Sequence, residues 1–93
     1  MAGIDKRGRP IKFGDLVHYY IPGHGTSGGY GYVAGEMKYS EGGSHVLLVG
    51  ERYDGMPIHA GHCTIASSGH EKIVYPLRAN YLRRWPGALR PLQ

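Results

Sequence analysis

Ninety-three residues, 41% of them hydrophobic, supply one modest core and exclude a multidomain chain. Sixteen glycines and six prolines weaken helix interiors and favour short strands joined by many turns, so the expected class is all-β. The net charge of +4 is uneven, with +3 on residues 1–12, +4 on residues 77–93 and −3 on the stretch between them.

In chain order, Lys6-Arg7-Gly8-Arg9-Pro10 reads as a polar lead-in, and Phe13-Gly14-Asp15 as the turn that launches a first strand over 16–21. Residues 22–29 (PGHGTSGG) form a glycine-rich loop. The aromatic and β-branched residues of 30–39 predict a second strand, which Gly31 and Gly35 allow to bend sharply. Glu41-Gly42-Gly43 is a hairpin signal, and 45–53 (HVLLVGERY), the most apolar run, is the expected central strand. Asp54-Gly55 predicts a tight turn closed by Pro57, with 58–66 as the return strand. After a turn at 67–70, residues 72–75 predict a short fifth strand stopped by Pro76, and LRANYLRRW a single helical or 3₁₀ turn. Trp85-Pro86-Gly87 is expected to end the ordered region, leaving 86–93 as a loose tail. The organisation expected is a basic lead-in over 1–12, a barrel over 13–85 and that tail.

Five short strands, a long loop after the first, a tight central hairpin and a strand ending in Val74-Tyr75-Pro76 resemble the layout of the SH3-like barrels. The resemblance implies a single, strongly bent, five-stranded antiparallel barrel with a short 3₁₀ or helical turn near the C-terminus. That superfamily spans peptide-binding modules, chromatin readers, ribosomal domains and the plasmid-borne type II dihydrofolate reductases, so fold alone does not choose a function. Gly14-Asp15-Leu16-Val17, Val74-Tyr75-Pro76 and Leu82-Arg83 resemble segments of those reductases. Their pore glutamine, two residues before the tyrosine, is replaced here by Ile73, which has no amide to offer.

No catalytic arrangement emerges. Gly23 to Gly28 spell G-x-G-x-x-G, but a Gly-Tyr-Gly-Tyr run follows instead of an apolar helix, so a backbone-lined binding loop is the better reading. His59, His62, Cys63 and His70 gather metal-ligand types, yet in an extended strand His62 and Cys63 face opposite ways, and His59 and His62 differ by an odd number. Neither a metal nor a cofactor is therefore expected, and Cys63 is read as a buried residue. Six histidines leave room for binding that changes with pH. Ser44-His45 lacks a nucleophile-elbow context, and Glu41, Glu51, Asp54 and Glu71 read as solvated turn charges.

Eight tyrosines are the remaining signal. Tyr30 and Tyr32 alternate onto one strand face beside the glycine-rich loop, with Tyr20 near the same rim. The favoured reading is a nucleic-acid-binding accessory module in which Lys6, Arg7, Arg9, Lys12, Arg83 and Arg84 meet phosphates while Tyr20, Tyr30 and Tyr32 stack on bases. The alternative is a protein-binding module, such as a small phage or mobile-element protein occupying a host protein's site, with the same residues as anchors, and the second alternative, implied by the reductase resemblance, is a dihydrofolate reductase-like enzyme. Exposed sheet edges would also permit self-association. A single cysteine, Cys63, and the absence of an apolar run of roughly 20 residues or of a signal-peptide core in MAGIDKRGRP lead to the expectation of a cytoplasmic, non-membrane protein.

Overall fold

The computed structural model describes residues 2–23, 28–39 and 45–91. Five antiparallel strands form the main sheet: β3 (Leu16–Tyr20), β4 (Gly28–Glu36), β5 (His45–Gly50), β6 (Tyr53–His59) and β7 (Cys63–Ser67), in the spatial order β6-β5-β4-β3-β7. Before them, β1 (Gly3–Ile4) and β2 (Pro10–Ile11) make a small hairpin, and after them comes one helix, α1 (Glu71–Arg84). The fold is thus mostly β. Among the described residues no ladder joins β6 to β7, so the sheet is not closed by hydrogen bonds into a complete barrel.

Strand periodicity explains why there are two apolar layers. On β5, Val46 and Leu48 point to one face and join Val17, Val33, Ile58 and Cys63, while Leu47 and Val49 point to the other and meet α1. A strand buried on both faces reads as a continuous apolar run, which is what HVLLVG is. That run lies inside the sheet between β4 and β6, so it presents no edge for self-association.

The bends fall where small residues permit them. Register shifts occur between Val33 and Gly35, and Gly35 sits at φ 145°, a value side chains rarely adopt. The bulge frees the Ala34 carbonyl, which accepts a hydrogen bond from Arg78 Nε at 3.1 Å. Gly14, at φ 87°, makes the turn predicted before β3. The 24–27 part of the glycine-rich loop and the Glu41-Gly42-Gly43 signal lie outside the described residues.

Several expectations are corrected. The β5–β6 turn is at residues 51–52, and Asp54-Gly55 lies within β6. Its glycine serves packing, because a Cβ at Gly55 would stand 2.7 Å from the Tyr81 ring of α1. The expected return strand over 58–66 is divided by a 3₁₀ turn at Ala60–His62. Residues 72–75, predicted as a strand because Ile73, Val74 and Tyr75 favour one, instead open α1, Pro76 lies inside it, and the expected single helical or 3₁₀ turn after it is the remainder of a 14-residue helix. Val74, Leu77 and Tyr81 recur at helical spacing and pack on the outer face of the sheet, and this tertiary burial outweighs the hydrogen bond that Pro76 cannot make. Glu71 in the first turn and Arg83 and Arg84 in the last complement the helix dipole.

The described residues near both ends pack into the fold. Ala2 and Ile11 of the lead-in belong to the inner core, Ile11 being fully buried. Beyond the helix the chain doubles back: Leu89, a residue 7% exposed, bridges to Met37, and Arg90 N donates to Glu36 O at 3.0 Å. Residues 86–91 are accordingly not a loose tail. Among the described residues no helix is long and apolar enough to cross a membrane.

Candidate functional site

The N-terminal hairpin shapes one end of the site through Asp5, a residue only 4% exposed. Its carboxylate accepts from Arg7 N at 2.9 Å, Arg9 N at 2.7 Å and Ile65 N at 3.1 Å, and from Arg9 Nε at 3.2 Å. Burial pushes the acid's pKa up, but the main-chain bonds from Arg9, Ile65 and Arg7, with the Arg9 charge, outweigh it and hold the pKa below the usual 3.8. Lys6 N donates to Cys63 O, and the Arg9 guanidinium to Ile65 O, so the hairpin turn covers the outer edge of β7.

This anchoring sets Lys6 Nζ 5.2 Å from the centre of the Tyr20 ring. Tyr20 opens a row of rings. Its centroid lies 5.1 Å from that of His62, His62 lies 5.1 Å from His59, and His59 lies 5.4 Å from His45. The rings border an open groove of about 250 Å³ whose other walls are Ile21, Pro22, Met56, Pro57 and Ile58. None of its described lining residues is a carboxylate. A second cavity, beside the 51–52 turn, is lined by Glu51, Arg52 and Asp54 with Leu77 and Asn80, and its mixed charge suits an anion poorly.

The pairing of His59 with His62 corrects the odd-spacing expectation. Residues three apart eclipse one another on a 3₁₀ turn, and the Ala60–His62 turn brings both rings to one side. His59 Nδ1 accepts from Gly61 N at 3.0 Å, which in the neutral ring leaves the proton on Nε2 as a donor. Cys63 is buried beneath them, with Sγ 3.7 Å from the His59 carbonyl. Burial, then the nearby Asp5 charge, pushes its thiol up to about 11, so it stays protonated at neutral pH. His70 lies elsewhere, with its Nε2 2.7 Å from Ser67 Oγ and its ring 5.5 Å from Tyr32. Among the described residues no group of three potential ligands is placed to hold a metal ion.

The other expected site residues divide. Tyr30 and Tyr32 do share the outer face of the sheet, but Tyr30 is 61% exposed whereas Tyr32 packs into the layer beneath α1. Arg7 and Lys12 are exposed on the N-terminal hairpin and just after it. Arg9 is engaged by Asp5 and Ile65. Arg83 bonds Asn80, and Arg84 pairs with Asp54 across an exposed surface, away from the ring row. The basic residues therefore do not form one continuous patch with the tyrosines. The common side of the groove histidines is not legible in the sequence, because it depends on a three-residue turn that carries no strong local signature. Ser44 and the central residues of the G-x-G-x-x-G segment lie outside the described residues.

Comparison with known proteins finds no matching family model, no matching curated protein and no matching solved structure.

Proposed function

We propose that this chain is a non-catalytic small β-barrel module of SH3-like layout that binds nucleic acid through the ring-lined groove. The supporting fold features are the five-stranded order, the 3₁₀ turn before the last strand, and the pairing of that strand with the first strand of the sheet. The observation that carries the binding reading is the row Tyr20, His62, His59 and His45 at successive spacings of 5.1, 5.1 and 5.4 Å, headed by Lys6. Tyrosine and imidazole rings accept unstacked bases on their faces, while Lys6 and the adjacent Arg7 meet phosphates.

A second reading, a protein partner, is favoured by the apolar walls Ile21, Met56, Pro57 and Ile58, which would suit peptide side chains. The two are separated by binding of labelled single- and double-stranded DNA and RNA at about 50 and 200 mM salt. The nucleic-acid reading predicts single-strand binding that weakens with salt, with a slope reduced by roughly 1 in Lys6→Ala. Absence of binding to every oligonucleotide at the lower salt rejects it in favour of the protein partner.

A further inference from the structure

The ring row does not stop at Tyr20. His18 and Tyr20 are two residues apart on β3 and share its outer face, because Val17 and Tyr19 between and before them point into the inner core. Their Cα positions are therefore separated by roughly 6.6 Å along the strand. Across the β3–β4 ladder His18 is registered with Tyr30, and the two rings meet edge to face at 5.1 Å. His18 is exposed, as is Tyr30 at 61%. Folding gains little from leaving a large aromatic ring in water, and the two-layered core already holds Tyr19 and Tyr32.

From these observations we infer that His18 and Tyr30 form a second stacking platform, continuous with the groove, so that one unpaired nucleic-acid strand runs from His45 past Tyr20 to Tyr30. The inference rests on the nucleic-acid reading of the groove and extends its footprint. Charge complementarity selects the occupant. Lys6 stands beside Tyr20 near the middle of the track, Arg7 is exposed on the same hairpin turn, and the described lining of the groove holds no carboxylate. Flat rings at intervals beside the Lys6 cation suit a polyanion whose bases can each turn a face to the protein. An unpaired strand is required because bases stacked within a duplex leave no face open to these side chains.

The test is fluorescence anisotropy with labelled oligothymidylates of about 3, 6, 9 and 12 nucleotides at about 50 mM salt, spanning the site sizes usual for one small barrel. Wild type should gain affinity with length until the track is filled. The pair His18→Ala with Tyr30→Ala should bind the shortest strand as wild type does and lose about 5- to 150-fold on the long ones, the effect of one or more lost stacking contacts. The pair Tyr20→Ala with His62→Ala should lose affinity at every length. Should the first pair melt well below wild type, Tyr30→Ser alone carries the comparison. If wild type binds long strands and neither His18 nor Tyr30 affects them, the second platform is overturned while the groove reading stands. If wild type binds no oligothymidylate and no RNA counterpart, the groove reading itself fails, and the extension with it.

Discussion

Replacing Asp5 with alanine tests how the site is held, since this one carboxylate ties the Lys6 turn to β7. The change removes the acceptor of three main-chain N–H groups, those of Arg7, Arg9 and Ile65 at 2.9, 2.7 and 3.1 Å, together with the Arg9 guanidinium bond. All three main-chain bonds are partly buried, so water replaces the lost acceptor only in part. At a net cost of about 1 kcal/mol or slightly more for each of these three partly solvated bonds, Asp5→Ala should cost roughly 3–4 kcal/mol. A domain of this size has a total stability of about 5–14 kcal/mol, so the loss is a large share of it. The assay is urea unfolding followed by circular dichroism at pH 7, where the midpoint should fall with little change in slope. The pH dependence gives a second readout. The folded pKa of Asp5 is depressed, so its ionisation stabilises the fold above the unfolded value of about 3.8, and that stabilisation disappears as pH falls through the lower folded value. The gap between wild type and Asp5→Asn should therefore be widest at neutral pH and narrow below about pH 4. A cost under about 1 kcal/mol for Asp5→Ala, or a gap to Asn that is constant with pH, would refute this account of the carboxylate.

Three further outcomes follow from the packing. Tyr30→Ala should leave thermal unfolding nearly unchanged, whereas Tyr32→Ala should cost about 2–3 kcal/mol, since only the second ring packs beneath α1; equal losses in urea titrations would contradict the division. Pro76→Ala should stabilise the protein by about 1–2 kcal/mol by restoring one helical hydrogen bond, and a lower melting temperature would show that the proline ring is needed where it is. Cys63, buried and with its thiol raised to about 11, should react with iodoacetamide at neutral pH only as fast as the protein opens, so a rate insensitive to mild denaturant would place the thiol at the surface.

What the sequence reveals and what it conceals have physical causes. The strands around 16–20 and 45–50, the Phe13-Gly14-Asp15 turn and the bend at Gly35 are legible because β-branched runs and left-handed glycines are local signals. The helix is not, because Pro76 and the Ile73-Val74-Tyr75 run argue locally against it, while the reason for it, burial of Val74, Leu77 and Tyr81 on the sheet, is tertiary. Asp54-Gly55 misleads for a related reason, since its glycine answers to Tyr81 and not to a turn. The same contrast applies at the site. Tyr20 and Lys6 are visible as an aromatic and a cation, but their contact depends on Asp5 folding the lead-in onto β7. The histidine row depends on a 3₁₀ turn that converts an odd sequence spacing into one side.

The proposed path of the unpaired strand is the groove from Lys6 through Tyr20, His62 and His59 to His45. Its most direct test is a titration of isotope-labelled protein with an oligothymidylate of about nine nucleotides, followed by NMR at about 50 mM salt. The account predicts shift changes concentrated at Lys6, Tyr20, His59 and His62 and continuing to His18 and Tyr30. Changes confined to the cavity at Glu51, Arg52, Asp54 and Asn80, or no changes at all, would contradict it.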